Sequence, residues 1–246
     1  GGPRLLRLFL LASAIGMVVL FRRLPGEKTS ASALPQDFSA NTPRLLVLPV
    51  TGVLLIAAAG LADLYEGFGL GNLIGQFLAA AGPDHIAVST AVTSALGLSP
   101  TAQKLLGVLS LGSAAALFPT ISACRRGGAF QGASLLLIPP VALVIRLVAA
   151  YRLDSVNPAL SAYYVELLAL VFLTLGFYRL SSFAFHAGQL RLYAFYTGAA
   201  VVLSMAALAD GGPYLSSLLL YAGGAAVLMG FLLLRLASPV PSTRQE

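Results

Sequence analysis

The chain has 246 residues, of which 58% are hydrophobic and 10% are charged. Soluble domains are roughly 45 to 50% apolar and about 25% charged, so this composition excludes a soluble globular protein. The formal net charge is +6, but the basic residues stand singly or in pairs beside apolar runs. This pattern excludes a nucleic-acid-binding patch and indicates residues that orient a membrane protein.

Apolar runs of about 20 residues recur along the chain, and about that many helical residues cross a hydrocarbon core of roughly 30 Å. The runs leave no room for a soluble domain, so we predict a single integral membrane domain over 1–246. The fold class is all-α: a polytopic transmembrane bundle of seven or eight helices with short connections. The predicted crossings lie at about 5–21, 44–62, 80–98, 103–123, 133–151, 159–178, 192–209 and 214–234.

The crossing at about 80–98 is ambiguous. Residues 67–100 divide into two short apolar stretches separated by Pro83-Asp84. Each would span only roughly 20 to 24 Å as a helix. Either the second stretch is a short crossing, or the two form a re-entrant pair packed inside protein. The first arrangement gives eight crossings and the second gives seven.

Arginine counts orient the chain. In the C-terminal half, six arginines fall on one side of the membrane and Arg152 alone falls on the other. Cytoplasmic loops carry an excess of Lys and Arg, so the C terminus is predicted to be cytoplasmic. Over the whole chain, seven crossings place ten basic residues inside and four outside, whereas eight crossings place eight inside and six outside. Charge therefore favours seven crossings, and the rarity of re-entrant segments favours eight.

Two charges lie well inside neighbouring apolar runs, Arg146 in one and Glu166 in the next. Asn157-Pro158 has the pattern of a helix start, which places the intervening loop at about 152–157. The two charges then differ in depth by only about 3 Å, at 1.5 Å per residue. We predict a buried ion pair between Arg146 and Glu166, with the Tyr163 hydroxyl one turn away available to the carboxylate.

Such a pair has two interpretations. Ionisable residues inside a membrane often mark an ion, proton or anionic-ligand pathway. They also serve as packing and register devices, and Arg146 could extend its side chain to the interface. Pro139-Pro140, in the same run as Arg146, predicts a kink or local unwinding because it removes two backbone donors. The residues favour the structural role.

Other polar residues predict no chemistry. Asp63 and Asp210 each end a crossing and are interpreted as turn-forming carboxylates. His85 and His186 fall near segment ends on different connections, which is not a metal or haem pattern. Cys124 is the one cysteine and is interpreted as a packing residue. We therefore predict no metal, no cofactor and no catalytic site, and no enzyme motif is found.

Short apolar motifs in the C-terminal third resemble a known group of proteins. They are YVELLA at 164–169, GFY at 176–178, AF at 184–185 and the run from Leu203 to Asp210. In these motifs the chain resembles an uncharacterised family of polytopic membrane proteins from Gram-positive bacteria, which has no assigned activity. The resemblance implies a bacterial cytoplasmic membrane and gives Tyr164, Glu166 and Asp210 added interest.

The residues thus predict a multi-pass membrane protein without identifying a substrate or reaction. An accessory or scaffold membrane subunit is favoured, whose partners are the lipid bilayer and another membrane subunit, with no nucleic acid. The alternative is a small transporter or channel with a polar site at Glu166. A hydrated cavity reaching Glu166 would favour the second interpretation, and a dry bundle enclosing it would favour the first.

Overall fold

The computed structural model describes residues 43–70, 99–126, 132–154, 160–209 and 215–237, with the single positions 12, 15, 16, 18, 19, 22 and 38. At 43, 126, 152–154 and 160–163 this description covers the backbone alone. These residues form six helices and contain no strand. The helices are α1 (Val47–Gly67), α2 (Pro100–Arg126), α3 (Ile138–Asp154), α4 (Leu160–Ala184), α5 (Leu190–Ala209) and α6 (Leu215–Ala237).

Each of these six helices is long and apolar enough to cross a membrane, as expected for a multi-pass membrane protein. They coincide in position with the six crossings predicted at 44–62 and from 103 onward, and most extend a few residues further. The predicted crossing at 80–98 lies outside the described residues, as does most of that at 5–21. His85, Asn157-Pro158 and Asp210 also lie outside them.

Local sequence explains where two helices begin. Before α2, the Ser99 hydroxyl accepts a hydrogen bond from the Ala102 amide at 3.4 Å, and Pro100 occupies the first helical position. Before α3, residues Ala133–Leu137 form a 3₁₀ helix, and the α-helix starts at Ile138. Pro139-Pro140 therefore lies in the first turn of α3, where backbone donors have no helical partner. The change of helix type comes just before these prolines, and the kink predicted at them stays a prediction.

Helix α6 is the centre of the bundle, since 67% of its membrane-spanning residues are buried. It packs most extensively on α1, which also packs on α2, and it contacts α4 and α5. Glycines allow this close approach. A Cβ atom added to Gly223 of α6 would lie 2.8 Å from the Gly52 carbonyl oxygen of α1, and one added to Gly60 would lie 2.9 Å from the Gly107 carbonyl oxygen of α2.

The register of α1 against its neighbours is antiparallel. Along α1, Pro49 lies against Gly230 and Ile56 lies against Gly223 of α6. At the far end of α1, Gly67 lies against Lys104, at the start of α2. The bundle therefore has a Gly67 end, where α1 ends and α2 begins, and an Arg44 end, where α1 begins.

An aromatic cluster closes the Arg44 end. Phe38, whose side chain is fully buried, makes edge-to-face contacts with Phe183 of α4, Tyr193 of α5 and Phe231 of α6. The ring centroids are 5.3 to 6.3 Å apart, within the range of favourable aromatic pairs. The buried Tyr193 hydroxyl donates a hydrogen bond to the Leu228 carbonyl at 2.9 Å. Phe38 thus joins three helices at one point.

We expect Gly223→Ala to destabilise the protein, because its Cβ would contact backbone atoms of α1 that cannot move without separating the helices. Overpacking of this kind costs about 1–3 kcal/mol. Gly112→Ala is the matched control, since its Cβ would meet only an Ile138 methyl at 3.8 Å. Thermal unfolding in detergent micelles measures both. Equal midpoints for the two variants would contradict a close α1–α6 contact.

We expect His186→Gly to stabilise the protein. His186 follows α4 with a φ of 56°, and the Ala187 amide donates back to the Ser182 carbonyl at 3.0 Å, which is the geometry of a Schellman cap. Glycine adopts this left-handed conformation without steric cost, so a gain of about 0.5–1 kcal/mol is expected. Thermal unfolding against wild type checks this, and His186→Val should lower the midpoint. A lower midpoint for the glycine variant would contradict the prediction.

Candidate functional site: a buried ion pair joining three helices

Arg146 of α3 is 5% exposed and lies at the junction of three helices. Its Nη1 atom donates a hydrogen bond to Asp63 Oδ2 of α1 at 2.6 Å, which forms a salt bridge. Its Nη2 atom donates to the hydroxyls of Ser216 and Ser217 on α6, at 3.2 and 3.3 Å. One guanidinium group therefore binds α3 to both α1 and α6.

Helical spacing explains why Asp63 points inward. The buried positions of α1 include Gly52, Ile56, Gly60, Asp63 and Gly67, which follow one another at intervals of three or four residues. Residues at these intervals share one face of a helix. Asp63 therefore lies on the same face as the glycines that contact α2 and α6, and it is 1% exposed.

Register explains why two serines of α6 meet the guanidinium. Ser216 and Ser217 lie in the first turn of α6, at the Gly67 end of the bundle. The antiparallel pairing of Pro49 with Gly230 and of Ile56 with Gly223 continues for two further turns of each helix. It then brings Asp63 to the level of Ser216. Both serines are buried, so their hydroxyls take the place of water around the guanidinium.

The energetic role of the cluster follows from its depth. Asp63 lies four residues before the end of α1, which is about 6 Å along the helix axis. A charged residue in the middle of a membrane helix costs roughly 2.5 to 3.5 kcal/mol on insertion scales. Pairing, and hydrogen bonds to the charged group, reduce that cost, whereas removing one partner leaves the other charge buried and uncompensated. The pair is therefore a strong constraint on which helices can be neighbours.

A small cavity adjoins the guanidinium. Its lining includes Arg146, Ser110 and Ser113, together with apolar side chains such as Leu143 and Phe177. A water centre can occupy about 20 Å³ of it, which is room for about one water molecule. The Ser113 hydroxyl already donates to the Leu109 carbonyl at 2.8 Å. Asp63 Oδ1 is buried and has no hydrogen-bond partner among the described residues.

Polar residues continue from the ion pair towards the Gly67 end. Glu66 lies one turn beyond Asp63, and the Gln103 side-chain amide donates to Glu66 Oε2 at 3.5 Å. The Lys104 ammonium lies over the Phe68 ring, 4.5 Å from its centroid. The cluster therefore extends from inside the bundle to the ends of α1 and α2.

The structure corrects the predicted partner of Arg146. Its carboxylate partner is Asp63 of α1 rather than Glu166 of α4. Glu166 is half-buried and is not among the residues that line the cavity, and the Tyr163 side chain lies outside the described residues. The interpretation of Asp63 as a turn residue is wrong, because Asp63 is buried within α1.

A signal for Asp63 was present in the sequence. Its position continues the glycine-bearing face of α1, and a carboxylate on a close-packing face must meet another helix. Depth alone could not decide between Asp63 and Glu166, because each lies a few turns or less from the Gly67 end. Helix α3 packs directly on α4, which carries Glu166, so adjacency does not select the partner; the direction of the Arg146 side chain, across to α1 and α6, selects Asp63.

Comparison of the chain with known proteins finds no matching family model, no matching curated protein and no matching solved structure. The resemblance to membrane proteins of Gram-positive bacteria therefore stays a prediction, and the site is interpreted from its geometry alone.

We expect Asp63→Asn and Arg146→Gln each to destabilise the protein by about 3–5 kcal/mol, because each leaves the other charge buried without its partner. The double variant should lose less than the sum of the two, which is the signature of a direct interaction. Unfolding in detergent micelles measures all three. Additive losses would contradict the assignment.

Proposed function

We propose that the protein is an accessory or scaffold membrane subunit, in which the Arg146–Asp63 pair fixes the helix arrangement. The observation that supports this role is the use of the guanidinium within the protein. Its two terminal nitrogens donate hydrogen bonds to Asp63, Ser216 and Ser217. The neighbouring cavity has room for about one water molecule. A group engaged in this way stabilises a bundle and offers little to a substrate.

One observation favours a second candidate, a small transporter or channel. Asp63 Oδ1 is buried without a hydrogen-bond partner among the described residues, and Arg146 lines a cavity together with Ser110 and Ser113. A carboxylate and a guanidinium beside a cavity could exchange protons or hold a small ion if water reached them. Under this alternative the polar site centres on Asp63 rather than on Glu166.

We propose that the Arg44 end of the bundle faces the cytoplasm. Among α1–α6 and the 3₁₀ segments before α1 and α3, six arginines lie near that end: Arg44, Arg125, Arg126, Arg179, Arg191 and Arg235. Lys104 and Arg152 lie near the Gly67 end. The excess of basic residues marks the cytoplasmic side. This orientation places the C terminus in the cytoplasm.

The same arrangement supports seven crossings. Gly67 at the end of α1 lies against Lys104 at the start of α2. A single crossing between these two helices would place Gly67 and Lys104 on opposite sides of the membrane. With a first helix at about 5–21, the protein would cross seven times and residue 1 would be outside. The resemblance in the C-terminal third supports a bacterial cytoplasmic membrane as the location.

Cysteine accessibility tests the scaffold role against the transporter. Cys124, which is buried, is first replaced by alanine to remove the background thiol. Ser113→Cys then places a thiol on the cavity wall, and Thr101→Cys places one at the exposed start of α2 as the matched control. A charged, membrane-impermeant thiosulfonate is applied to intact cells or sealed vesicles of both orientations.

In a scaffold with a sealed pair, the reagent should modify the Thr101→Cys protein and leave the Ser113→Cys protein unmodified, as measured by mass spectrometry. A charged reagent needs a hydrated path, and the cavity has room for about one water molecule. Modification of the Ser113→Cys protein at a rate near that of the control would contradict the scaffold role. It would favour the transporter.

A further inference from the structure

Arg179 of α4 lies near the Arg44 end of the bundle, five residues before the end of the helix. That position is about 7 Å from the helix end, at the depth where the hydrocarbon meets the headgroups. Its guanidinium carbon lies 5.7 Å from the centroid of the Tyr196 ring on α5 and 6.0 Å from that of Tyr178. Two tyrosine rings therefore flank this cation.

No carboxylate accompanies Arg179 among the described residues. No salt bridge joins Arg179 to a described carboxylate, and Arg179 Nε is buried without a hydrogen-bond partner among those residues. The acidic residues of the six helices all lie towards the opposite, Gly67 end: Asp63, Glu66, Asp154 and Glu166. Among the charged residues of the six helices, those near the Arg44 end are arginines, and their field favours an anion.

The surroundings of Arg179 combine polar and apolar groups. Tyr178 is 53% exposed and Tyr196 is partly exposed, so a headgroup at the interface can approach both rings. The ring centroid of Tyr196 lies 6.2 Å from that of Phe172 on α4 and 5.5 Å from that of Phe195. Phe172 lies two turns deeper in the membrane than Arg179. The aromatic surface thus runs from the headgroup level towards the hydrocarbon.

We infer that Arg179, Tyr178 and Tyr196 form a binding site for the phosphate of an anionic phospholipid, whose acyl chain lies along Phe172. A guanidinium binds phosphate through paired, charge-assisted hydrogen bonds, and tyrosine hydroxyls can donate further ones. The phosphate supplies the negative charge that Arg179 lacks among the described residues. Helix α4 is long and apolar enough to cross a membrane, and Tyr178 is exposed on it. The occupant is therefore a membrane lipid rather than a soluble phosphate.

Native mass spectrometry of the full-length protein, released from detergent with added lipid, tests this site. Phosphatidylglycerol and phosphatidylcholine with the same acyl chains are titrated separately. Wild type should retain phosphatidylglycerol in preference. Arg179→Gln should weaken that retention about tenfold, which corresponds to roughly 1.4 kcal/mol. Arg44→Gln is the matched control, because it removes an exposed charge from the same end of the bundle.

Further variants keep the test decisive. Arg179→Lys retains the charge and loses the paired geometry, so it should bind phosphatidylglycerol with intermediate strength even if Arg179→Gln folds poorly. Tyr196→Phe should weaken binding less than Arg179→Gln. Equal weakening by Arg44→Gln, or equal retention of the two lipids by wild type, would overturn the proposal. Displacement of the lipid by millimolar inorganic phosphate would show an anion site without lipid selectivity, and would also overturn it.

Discussion

The structure depends on the neutralisation of one buried guanidinium. Arg146 cannot remain charged inside a membrane bundle without an acceptor, and its acceptors come from α1 and α6 rather than from its own hairpin. The interaction therefore joins three helices that are far apart in the sequence. A different order of helices in the bundle would separate Arg146 from Asp63 and leave two charges in a low-dielectric interior. Such alternatives are disfavoured by several kcal/mol.

Close packing makes this interaction geometrically available. The glycines of α1 and α6 bring the two backbones into contact, so Asp63 and Ser216 are held at one level by the helix register rather than by flexible side chains. In a membrane, association of helices depends on such van der Waals contact, because lipid tails supply little hydrophobic driving force. Packing and polar pairing therefore act together: the glycines set the distance and the ion pair selects the register.

The sequence predicts the positions of the helices better than it predicts the site. Run lengths of about 20 apolar residues locate the six helices, because the thickness of a membrane fixes how long a crossing is. The partner of Arg146 could not be found in this way. Depth along a helix is encoded locally, whereas the choice between Asp63 and Glu166 depends on which face of α3 points into the bundle, because α3 packs on α4 as well. The spacing of Gly52, Gly60 and Asp63 was the one local indication, and it becomes decisive only when the partner helices are known.

The distribution of charge links the two ends of the bundle. In α1–α6 the acidic residues lie towards the Gly67 end, where Asp63 compensates Arg146, whereas most arginines lie near the Arg44 end. If carboxylates were spread evenly, each interfacial arginine could form a surface ion pair, which contributes little to stability. Among the described residues of the Arg44 end, Arg179 is flanked by tyrosine rings and by no carboxylate. Arg146 is therefore neutralised by the protein, whereas Arg179 is the arginine for which we propose a lipid anion.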